Sequence, residues 1–534
     1  MAQWPATKAN SRPAAIENVR INTAELDIWR FLHTIPTMRF DRSTIAVLLL
    51  ACVALQTFAA ERPNIVFIIA DDQAWDDSGA YGNPKVRTPN LDRLASQGMR
   101  FDNGFLTIAS CSASRSSIIT GRYPHNTDAE QLHWPLPGRH LTFVELLKHS
   151  GYYTAAAGKW HLGEEVKDRF DTVVEADVSG FQLPSGKEQD KGKFVQRMSG
   201  DARSGCDQWI PTLRGRPKDK PFFLWLAALD PHRPYDENII PVPHKPEDVI
   251  VPPYLANIPE VRKDLALYYD EITRLDMFVG LVMKELEAQG VADNTMILYI
   301  SDNGRPFPRA KITLYDSGIK TPWIVRWPAK VKAGSTTSRL VSSVDIAPTF
   351  LELAGAPGSP LFEGRSFAKI LTKPTARIRE HIFAEKHWHD YDDQCRAVRD
   401  ERFKYIRNFY NDVPATPSAD GVRSPTYRKM LAMRAEGKLT TAQQNFFIAP
   451  RPTEELYDCE ADPHETANLA NDPKHAATLK RLRRALDRWQ KDTNDHIPTK
   501  RTPDEFDRST GLATPARIRP RPSKAMMRER GIIE

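Results

Sequence analysis

Four apolar segments of this chain are each followed directly by side chains that can bind ions. The motifs after them are Asp71-Asp72, Lys159-Trp-His161, Asp230-Pro-His232 and Asp302-Asn303. Aspartate and asparagine offer oxygen ligands, which suit Ca²⁺ or Mg²⁺ better than zinc. Lysine supplies positive charge, and histidine can donate a proton near neutral pH. Together the motifs favour a site that holds a divalent cation beside an anion.

The four apolar segments have the composition of strands buried on both faces of a parallel sheet. They cover residues 64–70, 153–158, 222–229 and 296–301. Amphipathic stretches separate them, and the longest, over residues 261–289, repeats apolar side chains at helical spacing. Strands that alternate with helices predict a doubly wound α/β sheet, whose ligands bind beyond the carboxyl ends of the strands. We therefore expect the four polar motifs to lie close together.

A fifth motif, Cys111-Ser-Ala-Ser-Arg115, places a thiol and a guanidinium four residues apart. Taken alone, Cys111 is most simply interpreted as a small buried thiol. The motifs at the strand ends change this interpretation, because a cation site, an anion site and a proton donor all need a nucleophile between them. We expect Cys111 to lie at that position.

Beyond about residue 370 the pattern changes to short alternating runs, at residues 381–385, 397–400 and 403–407. A helix follows, with Leu479, Leu482, Leu486 and Trp489 on one side. This pattern predicts a smaller α+β domain over residues 371–495, after a catalytic α/β domain over residues 61–370. Residues 496–534 are rich in Arg and Pro and are expected to be disordered.

The composition is that of a large globular protein: 534 residues, 41% hydrophobic and 27% charged. The net charge of +6 gives no argument for a nucleic-acid partner, although a mildly basic surface suits an anionic substrate. The cysteines are too few and too scattered for a disulfide framework or a zinc site. They are Cys52, Cys111, Cys206, Cys395 and Cys459.

Residues 38–60 have the three parts of a secretory signal: a basic start at Met38, an apolar run, and small residues at Ala59-Ala60. The apolar run is too short to span a bilayer, so no integral membrane domain is expected. Export to the periplasm or extracellular space follows, with lipoprotein anchoring at Cys52 as the alternative. Because a signal should begin a chain, we expect residues 1–37 to be a mis-annotated extension.

Taken together, the motifs resemble those of type I sulfatases, from about residue 63 to residue 473. Ala113 stands where most members have proline. Looser similarity, in residues 251–254, 301–308 and 403–408, points within the family to sulfamidases, the heparan N-sulfatases, and their bacterial relatives. The resemblance rests on the motifs above, on Gly158-Lys-Trp-His-Leu-Gly163, and nearer the C-terminus on Glu455-Leu-Tyr-Asp458 and Asp462-Pro-His-Glu-Thr-Ala-Asn-Leu469.

This resemblance implies an alkaline-phosphatase-like sandwich with a large, mostly parallel central sheet, plus a smaller C-terminal α+β domain with a short antiparallel sheet. It implies that a formylglycine-generating enzyme oxidises Cys111 to Cα-formylglycine. One hydroxyl of the hydrated aldehyde would attack sulfur, and the other would release sulfate. It also implies Ca²⁺, or less favoured Mg²⁺, held by Asp71, Asp72, Asp302, Asn303 and residue 111 itself.

The same resemblance assigns catalytic roles. An arginine would hold the deprotonated hydrate, two lysines and a histidine would bind the sulfate oxygens, and His232 is our candidate to protonate the leaving group. The family places the second lysine ahead of a segment matched by residues 313–318, which selects Lys311 over Lys320. The implied catalytic residues are therefore Cys111, Arg115, Lys159, His161, His232 and Lys311.

Three further histidines, His125, His387 and His389, are candidates for contacts with a sugar substrate, although structural roles suit them equally well. The expected function is hydrolysis of sulfate from glycans, foremost the N-sulfate of glucosamine in heparin or heparan sulfate. The alternatives are an O-sulfatase of glycosaminoglycans, an arylsulfatase, or a protein that binds sulfated glycans with Cys111 unmodified. Expected partners are the sulfated saccharide and the maturation enzyme; the oligomeric state stays open, and a homodimer is compatible.

Overall fold

An eight-stranded sheet forms the centre of the molecule in a computed structural model that describes residues 62–176, 181–182, 195–196 and 203–515. The predicted signal peptide and extension lie outside these residues. The strands of the described residues, in this sheet and in three smaller ones, are β1 Asn64–Ala70, β2 Met99–Phe101, β3 Gly104–Phe105, β4 Tyr153–Gly158, β5 Thr172–Glu175, β6 Phe181–Gln182, β7 Val195–Gln196, β8 Phe222–Ala227, β9 Thr295–Ser301, β10 Ile324–Arg326, β11 Ser335–Thr337, β12 Val341–Ser342, β13 Ile382–Lys386, β14 Cys395–Arg399, β15 Phe403–Asn408 and β16 Glu454–Asp458.

Helices cover both faces of this sheet and connect its strands. The α-helices of the described residues, including those of the C-terminal part, are α1 Pro89–Ser96, α2 Cys111–Thr120, α3 Phe143–His149, α4 Trp209–Gly215, α5 Pro259–Ala288, α6 Asp316–Ile319, α7 Ile346–Ala354, α8 Ala368–Thr372, α9 Ala419–Arg423, α10 Pro425–Ala435, α11 Thr441–Gln444 and α12 Ala476–Asp492. No helix among the described residues combines the length and the apolar character needed to cross a membrane.

The strand order of the central sheet is β11-β2-β10-β9-β1-β8-β4-β5. The five strands from β9 to β5 run parallel to one another, whereas β10 is antiparallel to both of its neighbours. The register pairs Ala70 with Ser301 and Gly158 with Ala227, so these strands end at the same edge. The prediction of a mostly parallel α/β sheet is confirmed.

Alternate residues of β1 face opposite layers of the core, as the pleat of a strand requires. Phe67 packs on one face with Phe143 of α3 and Phe350 of α7. Ile68 packs on the other face in the cluster that contains α5. Because both faces are covered, the strand is apolar throughout, which is the pattern that identified it in the sequence.

A second, antiparallel sheet of order β13-β14-β15-β16 lies in the C-terminal part of the chain. Helix α12 packs Leu482 and Leu486 against Val398 and Tyr405 of this sheet. The predicted antiparallel strands and closing helix are present, and β16 is an additional strand that the sequence did not predict. The described residues from Arg62 onward cluster as one compact unit, so the small sheet is described here as a subdomain.

The expected disorder from residue 496 does not hold as far as residue 515. Glu505 and Phe506 are each only 1% exposed. The indole Nε1 of Trp388 donates a hydrogen bond to the Pro503 carbonyl at 3.1 Å. Burial of Phe506 in the cluster around α5 supplies the apolar contact that overcomes the Arg- and Pro-rich composition. Residues from 516 onward lie outside the described part.

Gly158, the last residue of β4, adopts a left-handed backbone with φ +100°. A Cβ atom there would lie 1.9 Å from the Ala227 carbonyl oxygen, so Gly158→Ala should lower the free energy of unfolding by about 3 kcal/mol. Gly290 has φ +68° with nothing within 4 Å of an added Cβ, so Gly290→Ala should cost only about 1 kcal/mol. Denaturant unfolding measures the free energy of unfolding of both variants. Equal losses in the two would show that the structure relieves the clash between residue 158 and β8.

Candidate active site

The carboxyl ends of β1 and β9 bring four acidic or amide side chains into one buried group. Asp71, Asp72, Asp302 and Asn303 are each fully buried. The Asp72 amide donates to Asp302 Oδ1 at 3.4 Å, and Asn303 Nδ2 donates to Asp72 Oδ1 at 2.5 Å. Asp72 has φ 73°, an uncommon conformation for a residue other than glycine. Such strain concentrates where surrounding contacts fix a functional side chain.

Cys111 is the first residue of α2, and its side chain points into this group of oxygens. Its Sγ lies 3.3 Å from Asn303 Oδ1, 3.5 Å from Asp71 Oδ1 and 3.8 Å from Asp72 Oδ1. Burial raises the pKa of the Cys111 thiol well above its usual value, against the opposing charges of Lys159 and Lys311. The thiolate is the nucleophilic form of cysteine, so this thiol is a weak nucleophile at neutral pH.

Each of the three buried carboxylates forms an ion pair with its own basic side chain. Arg115 Nε, one turn along α2, donates to Asp302 Oδ2 at 2.9 Å, and Lys311 Nζ donates to Asp72 Oδ2 at 2.8 Å. Lys159 Nζ donates to Asp71 Oδ2. Three buried carboxylates are therefore each paired with a basic side chain: Arg115 comes from α2, Lys159 from the end of β4, and Lys311 from the chain after β9.

Burial and the neighbouring charges shift the pKa values of Asp71 and Asp302 in opposite directions. Burial raises the pKa of Asp71, but Lys159, His232 and Lys311 outweigh burial and hold it well below its usual range. For Asp302, burial and the nearby charge of Asp71 outweigh Arg115, and the pKa rises to about 6. The carboxylate of Asp71 is therefore ionised at neutral pH, as a ligand of a cation must be.

The structure separates the two candidate lysines. Lys311 lies against Asp72, whereas Lys320 places its Nζ 3.8 Å from the centroid of the Trp75 ring. Burial lowers the pKa of Lys320, because desolvation disfavours the charged ammonium. Lys311 is therefore the lysine that lies at the buried acidic group, and its role in binding sulfate stays a prediction.

A cavity of about 450 Å³ opens above Cys111. His232 contributes to it with its side chain 24% exposed, and His232 Nε2 lies 3.8 Å from Asp72 Oδ2. His161 also lines the cavity, and its Nε2 lies 2.6 Å from Nδ1 of His133. The cavity lining includes Asp71, Cys111, Lys159, His161, His232 and Lys311 from the predicted site, together with His389.

His125 and His387, proposed from the sequence as sugar contacts, lie elsewhere and are corrected here. Glu385 of β13 binds both: its Oε1 is 2.8 Å from His125 Nδ1, and its Oε2 is 2.6 Å from His387 Nε2. Neither histidine belongs to the cavity lining found among the described residues, whereas His389 does. A buried carboxylate between two histidines satisfies all three polar groups, which is a structural role.

Sequence reasoning missed several side chains of the cavity, among them His133, Asp420 and Arg423. Asp420 and Arg423 belong to α9, a single short helix in a stretch rich in Pro and Ser. His133 has φ 64° and lies in the loop between α2 and α3, where its Nδ1 contacts His161 Nε2. None of the three follows a periodic apolar segment, so no sequence pattern marks their approach to the cavity.

The donor set fits a hard divalent cation. Ligand atoms of Asp71, Asp72, Cys111 and His232 all lie within 4.8 Å of one another. The amide oxygen of Asn303 faces the same centre, 3.3 Å from Cys111 Sγ. Carboxylate and amide oxygens that converge on one point are the ligands that Ca²⁺ and Mg²⁺ prefer.

Comparison with known proteins shows which family this chain resembles. Residues 63–356 match the family described as Sulfatase, and residues 309–444 match N-sulphoglucosamine sulphohydrolase, C-terminal. N-sulphoglucosamine sulphohydrolase of Homo sapiens is 31% identical over 491 residues, covering 83% of this chain and 94% of its own. An ulvan-active sulfatase of Formosa agariphila is 31% identical over 472 residues, covering 80% of this chain and 75% of its own.

A solved structure of a protein in complex with its substrate D-glucosamine-2-N,6-O-disulfate superimposes with a TM-score of 0.61 at 24% identity, covering 82% of this chain and 99% of that one. This likeness confirms the predicted alkaline-phosphatase-like fold. The matched family and relatives confirm the prediction of an enzyme that hydrolyses sulfuric esters or sulfamates. The chain belongs to the sulfatase family.

Proposed function

We propose that this sulfatase hydrolyses the N-sulfate of glucosamine in heparin or heparan sulfate, with a formylglycine formed from Cys111 and a bound divalent cation. The observation that carries the proposal is the position of Cys111 Sγ, within 3.3–3.8 Å of three ligand oxygens at the base of the cavity. The C-terminal match to N-sulphoglucosamine sulphohydrolase supports the N-sulfate.

Oxidation of Cys111 supplies a hydrated aldehyde with one hydroxyl to attack sulfur and a second whose deprotonation releases sulfate. The chain's own residues stabilise the charge of the reacting group. Burial by itself lowers the pKa of Lys159 and Lys311, but Asp71 and Asp72 raise both above the usual value. Both lysines are therefore cationic at neutral pH and can neutralise sulfate oxygens in a site shielded from water.

The cation would be held by Asp71, Asp72, Asp302, Asn303 and residue 111. The family resemblance favours Ca²⁺ over Mg²⁺, and carboxylate and amide oxygens are ligands that both ions accept. When bound, the cation polarises a sulfate oxygen. Arg115 keeps Asp302 in place from the opposite side, through the ion pair of 2.8 Å between its Nη2 and Asp302 Oδ2.

His232 donates the proton that the leaving amine requires. Its ring stands at the cavity wall, partly exposed, 3.8 Å beyond the carboxylate of Asp72. An imidazole can donate a proton near neutral pH. We further propose that the enzyme acts after export, directed by residues 38–60, where polymeric sulfated sugars are met.

Sulfate release tests the substrate. Among N-sulfoglucosamine, 6-O-sulfated glucosamine and 4-nitrocatechol sulfate, we expect the highest kcat/KM for N-sulfoglucosamine. Cys111→Ala should lower kcat by at least about 10³-fold, while the matched buried-thiol variant Cys206→Ala should keep it. A relative at 26% identity, named N-acetylglucosamine-6-O-sulfatase, makes an O-sulfatase the second candidate. Turnover of the O-sulfated sugar alone would establish that candidate instead.

His232→Gln should lower kcat on N-sulfoglucosamine by about 10²-fold or more, because the leaving amine then lacks its proton donor. The phenolate leaving group of 4-nitrocatechol sulfate needs no proton, so its kcat should fall much less. The control is His149→Gln, on the exposed surface at the end of α3, which should change neither rate. Steady-state kinetics on both substrates measure the effect. Equal losses on the two substrates would remove His232 from the role of general acid.

Ca²⁺ should stabilise the folded protein, by about 2.7 kcal/mol at one hundred times its Kd. Mg²⁺ at the same concentration should stabilise it less. The double variant Asp71→Asn, Asp72→Asn should lose this stabilisation, because the ligand charges are gone. Asp248→Asn removes a half-exposed carboxylate paired with Lys85 and should keep it. Thermal unfolding with and without each ion measures the shift; an unchanged shift in the double variant would place the cation elsewhere.

A further inference from the structure

Asp420 of α9 carries a buried carboxylate oxygen that lacks a hydrogen-bond donor. Its Oδ1 accepts a hydrogen bond from the Gly421 amide at 2.9 Å. Its Oδ2 is buried and receives no hydrogen bond from any of the described residues. The basic side-chain nitrogens nearest to it are His232 Nε2 at 3.9 Å and Lys311 Nζ at 4.0 Å, both beyond hydrogen-bond distance. Asp420 also lines the cavity above Cys111.

An unsatisfied oxygen of this kind is costly. Burial raises the pKa of Asp420, but Lys311, His232 and a hydrogen bond from the Ser418 side chain to the carboxyl outweigh burial and hold it well below its usual range, so the carboxylate is ionised. A buried acceptor without a donor costs about 1–3 kcal/mol, and more when it is charged. Buried polar groups in native proteins are almost always hydrogen-bonded, so an oxygen without a partner at a cavity wall is a candidate contact for a bound molecule.

The position of Asp420 limits which part of the substrate can supply that group. His232 Nε2 lies 3.8 Å from Asp72 Oδ2 and 3.9 Å from Asp420 Oδ2. Because His232 is the proposed proton donor for the leaving amine, Asp420 Oδ2 lies close to the position of the leaving nitrogen. A carboxylate repels the sulfate oxygens, which are themselves negative acceptors. Its partner must therefore be an N–H or O–H group of the leaving sugar.

We propose that Asp420 accepts a hydrogen bond from the sulfamate N–H and thereby selects N-sulfated over O-sulfated sugars. This inference rests on the proposed function, because it assumes an amine leaving group. In an O-sulfate the bridging oxygen carries no hydrogen, so Asp420 Oδ2 stays unpaired in the complex. A site built to hydrogen-bond a substrate N–H rejects an analogue that lacks it by as much as about 10⁴-fold.

Two substrates isolate this hydrogen bond: glucosamine 2-N-sulfate and glucose 2-O-sulfate, which differ only in the N–H or oxygen at the scissile bond. The measurement is the ratio of their kcat/KM values. Wild type should prefer the N-sulfate. Asp420→Ala should lower the ratio by at least about 10-fold, the effect of one hydrogen bond to a charged group, through a loss confined to the N-sulfate.

Asp420→Asn keeps one acceptor oxygen without the charge and should fall between wild type and Asp420→Ala. Glu164→Ala provides the matched control. Glu164 is an exposed carboxylate on the rim of the same cavity, paired with Lys167, and its removal should leave the ratio unchanged. If Asp420→Ala fails to fold, the ratio in Asp420→Asn must still fall for the proposal to stand.

The outcomes separate the two levels of the account. Wild type that cleaves the 2-O-sulfate and not the 2-N-sulfate contradicts the proposed function itself. Wild type that prefers the N-sulfate, combined with equal losses on both substrates in the Asp420 variants, leaves the proposed function intact and overturns this inference. In that case Asp420 acts by positioning His232, which serves both leaving groups alike.

Discussion

Three carboxylates buried at one edge of the central sheet each require a positive charge, and the rest of the site depends on how the fold supplies it. Lys159 pairs with Asp71, Lys311 with Asp72, and Arg115 with Asp302. Removing one partner of a buried ion pair costs about 3–5 kcal/mol, because the remaining charge is left without compensation. Each pair joins distant parts of the chain, so the site forms only when the sheet and α2 are assembled together.

The same arrangement supports the proposal that the chemistry lies at residue 111. Helix α2 starts beside the sheet edge, so residue 111 stands over the ligand oxygens while Arg115, one turn later, reaches Asp302. Burial keeps the thiol protonated and weakly nucleophilic. An ionised Asp71, two cationic lysines and His232 therefore surround a side chain that is weakly nucleophilic as encoded. This contrast is best explained if Cys111 is a precursor.

The parallel strands could be predicted from the sequence because burial on both faces requires continuous apolar segments, and β1 and β4 begin and end where their segments do. The clustering of the polar residues that follow these strands could also be predicted, because the carboxyl ends of parallel strands lie at the same edge of a sheet. Asp420 and the packing of Phe506 depend on contacts between distant segments, and no local pattern records them. His125 was misassigned because residue type alone does not reveal that Glu385 binds it.

The most direct test of this account is mass spectrometry of the peptide that contains Cys111, from protein produced together with a formylglycine-generating enzyme. We predict the mass of an aldehyde, or of its hydrate, in place of the thiol at residue 111, with Cys206 unmodified in the same sample. An intact thiol at Cys111 in protein that still releases sulfate would contradict the central claim, because the catalytic group would then have to lie elsewhere.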